Sequence, residues 1–204
     1  EILPPPANTT GPVTLNWLGL HQGGWLTSLL DIDRANNVKE FREALRPWHV
    51  PTFSLVFADT EGAIGFQSSG RIPVRKQEER GYRPGWDTEH QWQGLIPFDE
   101  MPGVIEPERG WIASANNRLT PNDFPHLLYG RWVSGWRGTR IRQMIEEQGK
   151  LTPDDMRDMH QDSVNLRAAG AVPHLVNILK NDDDPRVHEA VEQLQSWDFH
   201  AEPE

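Results

Sequence analysis

The 204-residue sequence contains no cysteine, which excludes disulfides, thiolate metal sites and a cysteine nucleophile. Its apolar runs are only a few residues long, as in residues 55–58, whereas a membrane helix needs about 18. Basic residues are the minority: 20 Lys and Arg against 30 Asp and Glu give a formal charge of -10. Because phosphate binding needs a clustered basic surface, we do not expect nucleic acid as a partner, and the short apolar runs predict no membrane partner.

The N-terminal stretch lacks the basic and apolar regions of a signal peptide, and the first residue is Glu1 rather than Met. We therefore interpret the chain as a piece of a longer polypeptide, either processed or cut by design. Residues 1–12 contain four prolines, which predicts an extended lead-in.

Several motifs that carry chemistry are also missing. The eight histidines never occur at the spacing of a zinc-binding helix, so no metal site is indicated. The sequence contains no glycine-rich nucleotide loop and no nucleophile elbow. A hydrolase that uses carboxylates such as Asp59 and Asp87 is an alternative, although it needs two acids converging in a cleft. The nine tryptophans indicate core and interface filling more than a sugar-binding platform.

The pattern of residues 13–118 is mainly that of strands. Strands are predicted at 13–20, 92–97 and 111–115, and a β-hairpin at 54–58 and 63–67 around a turn at 59–62. Residues 26–33 are either a short helix or a strand. Asn37 and Glu40 form a capping-box pattern that opens a helix. A long loop is expected over residues 71–90.

Residues 119–204 are predicted to be mainly helical. One helix covers 137–148 and ends at Gly149. Thr152 caps a second helix, and Asp184 opens the last one. The run from 163 to 180 is helical, with Gly170 and Pro173 as candidate breaks.

The strand candidate at residues 111–115 is followed directly by the amides of Asn116 and Asn117 and the guanidinium of Arg118. This block is one of five that together resemble a known family. The blocks are FADTEGAIGF at 57–66, PGW at 84–86 with WQGLIPF at 92–98, GWIASANNR at 110–118, DFP at 123–125 with RGTRI at 137–141, and a helical run ending in SWD at 196–198. In this order and spacing they resemble the central β-chain of the penicillin acylase family of N-terminal-nucleophile hydrolases.

The resemblance implies an α+β fold: a partial αββα sandwich of antiparallel strands (13–118) followed by the helical segment (119–204). It also implies amide hydrolysis, in which an N-terminal Ser attacks an acyl amide with its own amine as base. The family's oxyanion-binding Asn matches Asn116, and its orienting Arg matches Arg137, with Arg140 as the second candidate. Leu29 and Phe53 match positions near the family's acyl pocket.

The sequence also departs from the family pattern. The N-terminal Ser nucleophile is absent from the chain, so we expect the chain alone to be inactive. Its implied partners are the α-chain, the rest of the β-chain and a small acylated amide, and exposed apolar faces could lead to self-association. No cofactor is expected. Calcium occurs in the family, but the region expected to supply an aspartate reads Leu127-Leu128.

The family resemblance suggests a periplasmic or secreted hydrolase of β-lactam side chains, acyl-homoserine lactones or similar N-acyl amides. The remaining alternative is a non-catalytic binding or scaffold module that keeps part of the fold.

Overall fold

The computed structural model describes residues 2–3, 13–20, 23–78 and 81–202. The chain divides into two compact units, Glu1–Ile112 with Leu119–Arg131 and Ala113–Arg118 with Trp132–Glu204. Residues 113–118 thus cluster with the helical second unit. Most of the expected N-terminal lead-in lies outside the described residues; strand β1 (Ile2–Leu3) pairs antiparallel with β2 (Val13–Thr14).

The first unit is built on a three-stranded antiparallel sheet of β3 (Ser54–Ala58), β4 (Ile64–Ser68) and β5 (Gly103–Ile105), in that order. The pairing of Ser54 with Ser68 and of Ala58 with Ile64 confirms the predicted hairpin. Its turn is held by the Asp59 carboxylate, which accepts hydrogen bonds from the backbone N–H groups of Glu61 (3.1 Å) and Ala63 (3.0 Å).

Two helices accompany this sheet, α1 (Trp25–Ile32) and α2 (Val38–Ala44). The predicted cap of α2 is confirmed, because the Asn37 side chain accepts from the N–H groups of Lys39 and Glu40. The central buried cluster of the unit is formed by Leu45, Trp48 and Phe98. The guanidinium of Arg46 lies 4.5 Å from the centre of the Phe98 ring and covers the outer side of this core.

Three strand predictions in the first 118 residues are wrong. Of residues 13–20 only Val13–Thr14 form a strand, and Leu18–Leu20 form a short 3-10 helix. Residues 92–97 contribute one isolated bridge, Leu95 with Pro73, and residues 111–115 form no strand. The strand β5 was not predicted, because its three residues become a strand only through pairing with β4.

The second unit contains four helices among the described residues: α3 (Trp136–Gln148), α4 (Pro153–His160), α5 (Leu166–Leu179) and α6 (Pro185–Ser196). Thr152 and Asp155 form a full capping box at α4, as predicted. Gly149 ends α3 with φ 75°. Pro173 lies inside an unbroken α5, so the predicted break does not occur.

The tryptophans do not fill the core. Trp48 is buried, whereas Trp86 is 89% exposed and four further indoles are about half exposed. The structure therefore leaves large aromatic surface uncovered.

Candidate functional site

The candidate site is built around the turn at residues 113–118 in the second unit. Asn116 has φ 61°, a left-handed conformation that asparagine tolerates better than most residues. Its backbone carbonyl accepts a hydrogen bond from the N–H of Val133 at 3.0 Å. The turn is thereby fixed, and the exposed side chain of Asn116 projects from a held backbone.

Arg137, in the first turn of α3, determines how the Asn116 amide is oriented. Its Nη2 donates to Asn116 Oδ1 at 3.0 Å and to the carbonyl of Ala115, also at 3.0 Å. Since the amide oxygen faces the guanidinium, the Nδ2 group of Asn116 is turned away from Arg137. There its two N–H groups form no hydrogen bond with any described residue and are available to an oxyanion.

The neighbouring Asn117 has a different task. Its Oδ1 accepts from the N–H of Ala115 at 3.1 Å, and its Nδ2 donates to the carbonyl of Arg118 at 3.1 Å. Both ends of this amide are used within the turn. A Cβ at Gly138 would lie 2.8 Å from Asn117 Oδ1, so a glycine at this position lets α3 approach the turn closely.

Arg140, the second candidate for the orienting role, is engaged elsewhere. Its Nε and Nη2 donate to the two carboxylate oxygens of Asp162 at 3.0 and 2.7 Å. These hydrogen bonds raise the pKa of the Arg140 guanidinium and lower the pKa of the Asp162 carboxyl. The structure brings Arg137, and not Arg140, to Asn116.

Phe53 and Leu29 both lie in the first unit. Phe53 is 50% exposed, and its ring meets that of Trp48 edge to face at 6.0 Å. It lines a pocket of about 570 Å³ together with Trp17 and Trp25. Leu29, on α1, is 42% exposed and is not among the residues that line this pocket. The aromatic walls could not be foreseen, because the tryptophans share no sequence spacing.

The two carboxylates of the alternative acid–base mechanism have structural partners. Besides closing the hairpin turn, Asp59 accepts from the N–H of Val38 at 3.2 Å, at the start of α2. Asp87 accepts from the N–H of Glu89 at 2.9 Å and caps a 3-10 helix. Neither contact makes a carboxylate a general acid or base.

Among the described residues no group of three or more His, Asp or Glu side chains is placed to hold a metal ion. The expected calcium position carries Leu127 and Leu128, whose side chains cannot ligate calcium.

No helix of the described ranges is long and apolar enough to cross a membrane.

Comparison with known proteins shows the family. The family model described as penicillin amidase matches residues 3–204, and the chain belongs to this family. This membership agrees with the α+β fold of antiparallel strands and helices.

The relatives are bacterial acylases. The chain is 35% identical over 133 residues to penicillin acylase 2 proenzyme of Pseudomonas sp. strain SE83, covering 64% of this chain and 17% of the relative. It is 32% identical over 158 residues to penicillin G acylase of Escherichia coli, and the match covers 72% of this chain and 18% of that protein. It is 29% identical over 187 residues to the acyl-homoserine lactone acylase QuiP of Pseudomonas aeruginosa, and the match covers 85% of this chain and 22% of that protein. The chain thus spans about a fifth of their length.

A solved structure has the same fold. The thermostable penicillin G acylase from Alcaligenes faecalis matches all of this chain and 41% of its own, with a TM-score of 0.70 at 20% identity. The predicted fold class is confirmed by this match.

Proposed function

We propose that this chain is a segment of an N-acyl amide hydrolase and supplies the side-chain half of its oxyanion hole. In this proposal the Nδ2 of Asn116 donates a hydrogen bond to the oxyanion that forms when the acyl carbonyl is attacked. Arg137 acts as a positioning residue, because it holds the Oδ1 of Asn116 and does not itself touch the substrate.

The observation that carries the proposal is the 3.0 Å contact between Arg137 Nη2 and Asn116 Oδ1. A donor that is aimed before the reaction stabilises developing charge without reorganising at the moment of reaction. An Asn with both amide ends used locally, such as Asn117, could not act in this way.

The nucleophile belongs to another part of the longer polypeptide in this proposal. An N-terminal Ser, with its own α-amine as base, attacks the acyl carbon and forms the tetrahedral intermediate. The C–N bond of the substrate then breaks, its amine leaves with the proton that the α-amine had taken from Ser, and water hydrolyses the resulting acyl-enzyme. The small share of each relative that the chain spans supports the interpretation as a segment. We expect the 204-residue chain alone to hydrolyse no amide, and measurable acylase activity of the purified chain would contradict this.

The proposed substrates are N-acyl amides, either β-lactams with an acyl side chain or acyl-homoserine lactones. The support is the names of the relatives, which include both penicillin acylases and acyl-homoserine lactone acylases. We also propose a periplasmic or secreted location, and the remaining α- and β-chain segments as the partners of this chain.

The test is the substitution Asn116→Ala in the whole acylase polypeptide, assayed on penicillin G and on an N-acyl-homoserine lactone. Loss of one oxyanion donor lowers kcat on the order of 10²- to 10³-fold, and KM is expected to change little. The matched control is Asn181→Ala, an exposed Asn after α5, which should keep the kcat of the unchanged enzyme.

Two outcomes would contradict the proposal. If Asn116→Ala keeps the kcat of the unchanged enzyme on its best substrate, Asn116 is not an oxyanion donor. If the whole polypeptide hydrolyses no N-acyl amide at all, a binding or scaffold role is the better account.

A further inference from the structure

A second cavity, of about 640 Å³, opens in the second unit beside α3 and the start of α5. Its lining includes aromatic, thioether and aliphatic side chains: Trp136, Ile141, Met144, Met159 and Leu166. Trp136 lines the cavity and is 44% exposed. A lining of this composition favours an apolar ring or a short hydrocarbon body.

The charged groups that line the cavity are Arg137, Arg140, Asp162 and Arg167, and the imidazole of His160 lines it as well. Arg140 and Asp162 neutralise each other through their two hydrogen bonds. Arg137 uses Nη2 for Ala115 and Asn116 and has no acidic partner among the residues that the structure describes. Within the same described ranges, Arg167 forms no ion pair and no side-chain hydrogen bond.

The cavity therefore carries a net positive charge in a protein whose formal charge is -10. Two guanidinium groups offer N–H donors in the planar arrangement that matches a carboxylate. The same cavity is lined by the apolar side chains named above, Trp136 among them. A ligand that satisfies both features has a carboxylate at one end and an apolar body at the other.

We propose that this cavity is a binding site for an organic carboxylate with an apolar body. The carboxylate binds Arg167 at the rim, and the apolar body packs against Trp136 and Met159. Arg167 is the residue that selects the anion over a neutral molecule of the same shape. This inference concerns binding only and does not depend on Asn116 taking part in hydrolysis.

The experiment is isothermal titration calorimetry on the whole acylase polypeptide with 2-naphthoate and its neutral counterpart 2-naphthamide. We expect 2-naphthoate to bind at least about tenfold more tightly, since a hydrogen bond to a charged group contributes roughly a tenfold change in affinity or more. Raising the salt concentration from about 0.05 to about 0.5 M should weaken the binding of 2-naphthoate and not that of 2-naphthamide.

The variants locate the site. Arg167→Gln should weaken 2-naphthoate binding about tenfold, whereas Arg142→Gln should leave it unchanged. Arg142 is the matched control because it is an exposed arginine on α3 that does not line the cavity. Equal affinity for the two probes, unchanged binding in Arg167→Gln, or no binding of 2-naphthoate to the whole polypeptide would each overturn the proposal. Because no turnover is measured, these results are separate from the kinetics of Asn116 variants.

Discussion

The Nη2 of Arg137 donates to both the Oδ1 of Asn116 and the backbone carbonyl of Ala115, each at 3.0 Å. One guanidinium nitrogen thereby links the start of α3 to the turn and fixes the direction of the Asn116 amide. If Asn116 is the oxyanion donor proposed above, Arg137 contributes to hydrolysis through Asn116, which leads to the first prediction.

Arg137→Ala in the whole acylase polypeptide is expected to lower kcat up to about 10²-fold, because misplacing a catalytic group by 1 Å can cost that much. KM should change little. The kcat of Arg137→Lys should lie between that of the unchanged enzyme and that of Arg137→Ala. The diagnostic measurement is the double variant with Asn116→Ala. If Arg137 acts through Asn116, its loss has little further effect once Asn116 is gone.

The control for this series is Arg142→Ala, an exposed position on the same helix, which should leave kcat unchanged. Fully multiplicative effects of Arg137→Ala and Asn116→Ala on kcat would show that Arg137 acts independently of Asn116.

The pair of Arg140 and Asp162 predicts a pH-dependent stability. The Asp162 side chain is only 14% exposed, and the Arg140 hydrogen bonds hold the pKa of its carboxyl below the usual range. An unfolded Asp titrates at about 3.9. Since the folded pKa is the lower one, the pair's contribution is present above that value and is lost as pH falls through the folded pKa.

Asp162→Asn should therefore lower the free energy of unfolding at pH 7 by about 1–3 kcal/mol, because a charged partner is left without its counter-ion. It should also reduce the loss of stability below about pH 4. Urea unfolding across this pH range measures both effects. Asp154→Asn removes an exposed pair with Arg157 and should change much less. Equal effects of the two variants would count against a special role for the Asp162 pair.

Substitutions at Asp59 test whether its carboxylate has a structural or a catalytic role. It accepts three backbone hydrogen bonds, from Val38, Glu61 and Ala63. Asp59→Ala should destabilise the first unit by about 1–3 kcal/mol, which denaturant unfolding can measure. Asp59→Asn keeps an acceptor oxygen, so it should be milder and leave kcat within about twofold. A fall in kcat on the order of 10²-fold in Asp59→Asn would revive the acid–base mechanism.

Gly24 is predicted to be indispensable at the start of α1. It has φ 85°, and a Cβ there would lie 1.8 Å from the backbone oxygen of Pro47. Gly24→Ala should destabilise the protein by roughly 2 kcal/mol or more, since strain and a backbone clash add. Gly149→Ala is the matched comparison, with φ 75° and no atom within 4 Å of the added Cβ. It should cost about 1–2 kcal/mol through strain alone. Equal melting temperatures of the two variants would show that the close approach to Pro47 is not restrictive.

The sequence could predict elements whose signals are local. Asn37 and Thr152 are caps whose partners lie within three residues, and the turn at Asp59 lies between two alternating strands. The strand β5 depends instead on pairing Ile105 with Gly65, forty positions away. Residues 111–115 have a strand-like composition but no partner strand in the described structure.

For the candidate site, the family resemblance identified Asn116 and Arg137 but could not show their contact. Twenty-one positions separate the two residues, and only the approach of α3 to the turn brings them together. The engagement of Arg140 with Asp162 depends on tertiary packing in the same way, so the resemblance left Arg140 as the second candidate after Arg137.

The most direct measurement is a crystal structure of the whole acylase polypeptide with a boronic acid analogue of its acyl group, bound as a tetrahedral adduct. The account predicts that Asn116 Nδ2 lies about 2.7–3.1 Å from the adduct oxygen that represents the oxyanion, with Oδ1 still on Arg137. An adduct oxygen bound by other donors, with the Asn116 amide beyond hydrogen-bonding distance, would contradict the central claim.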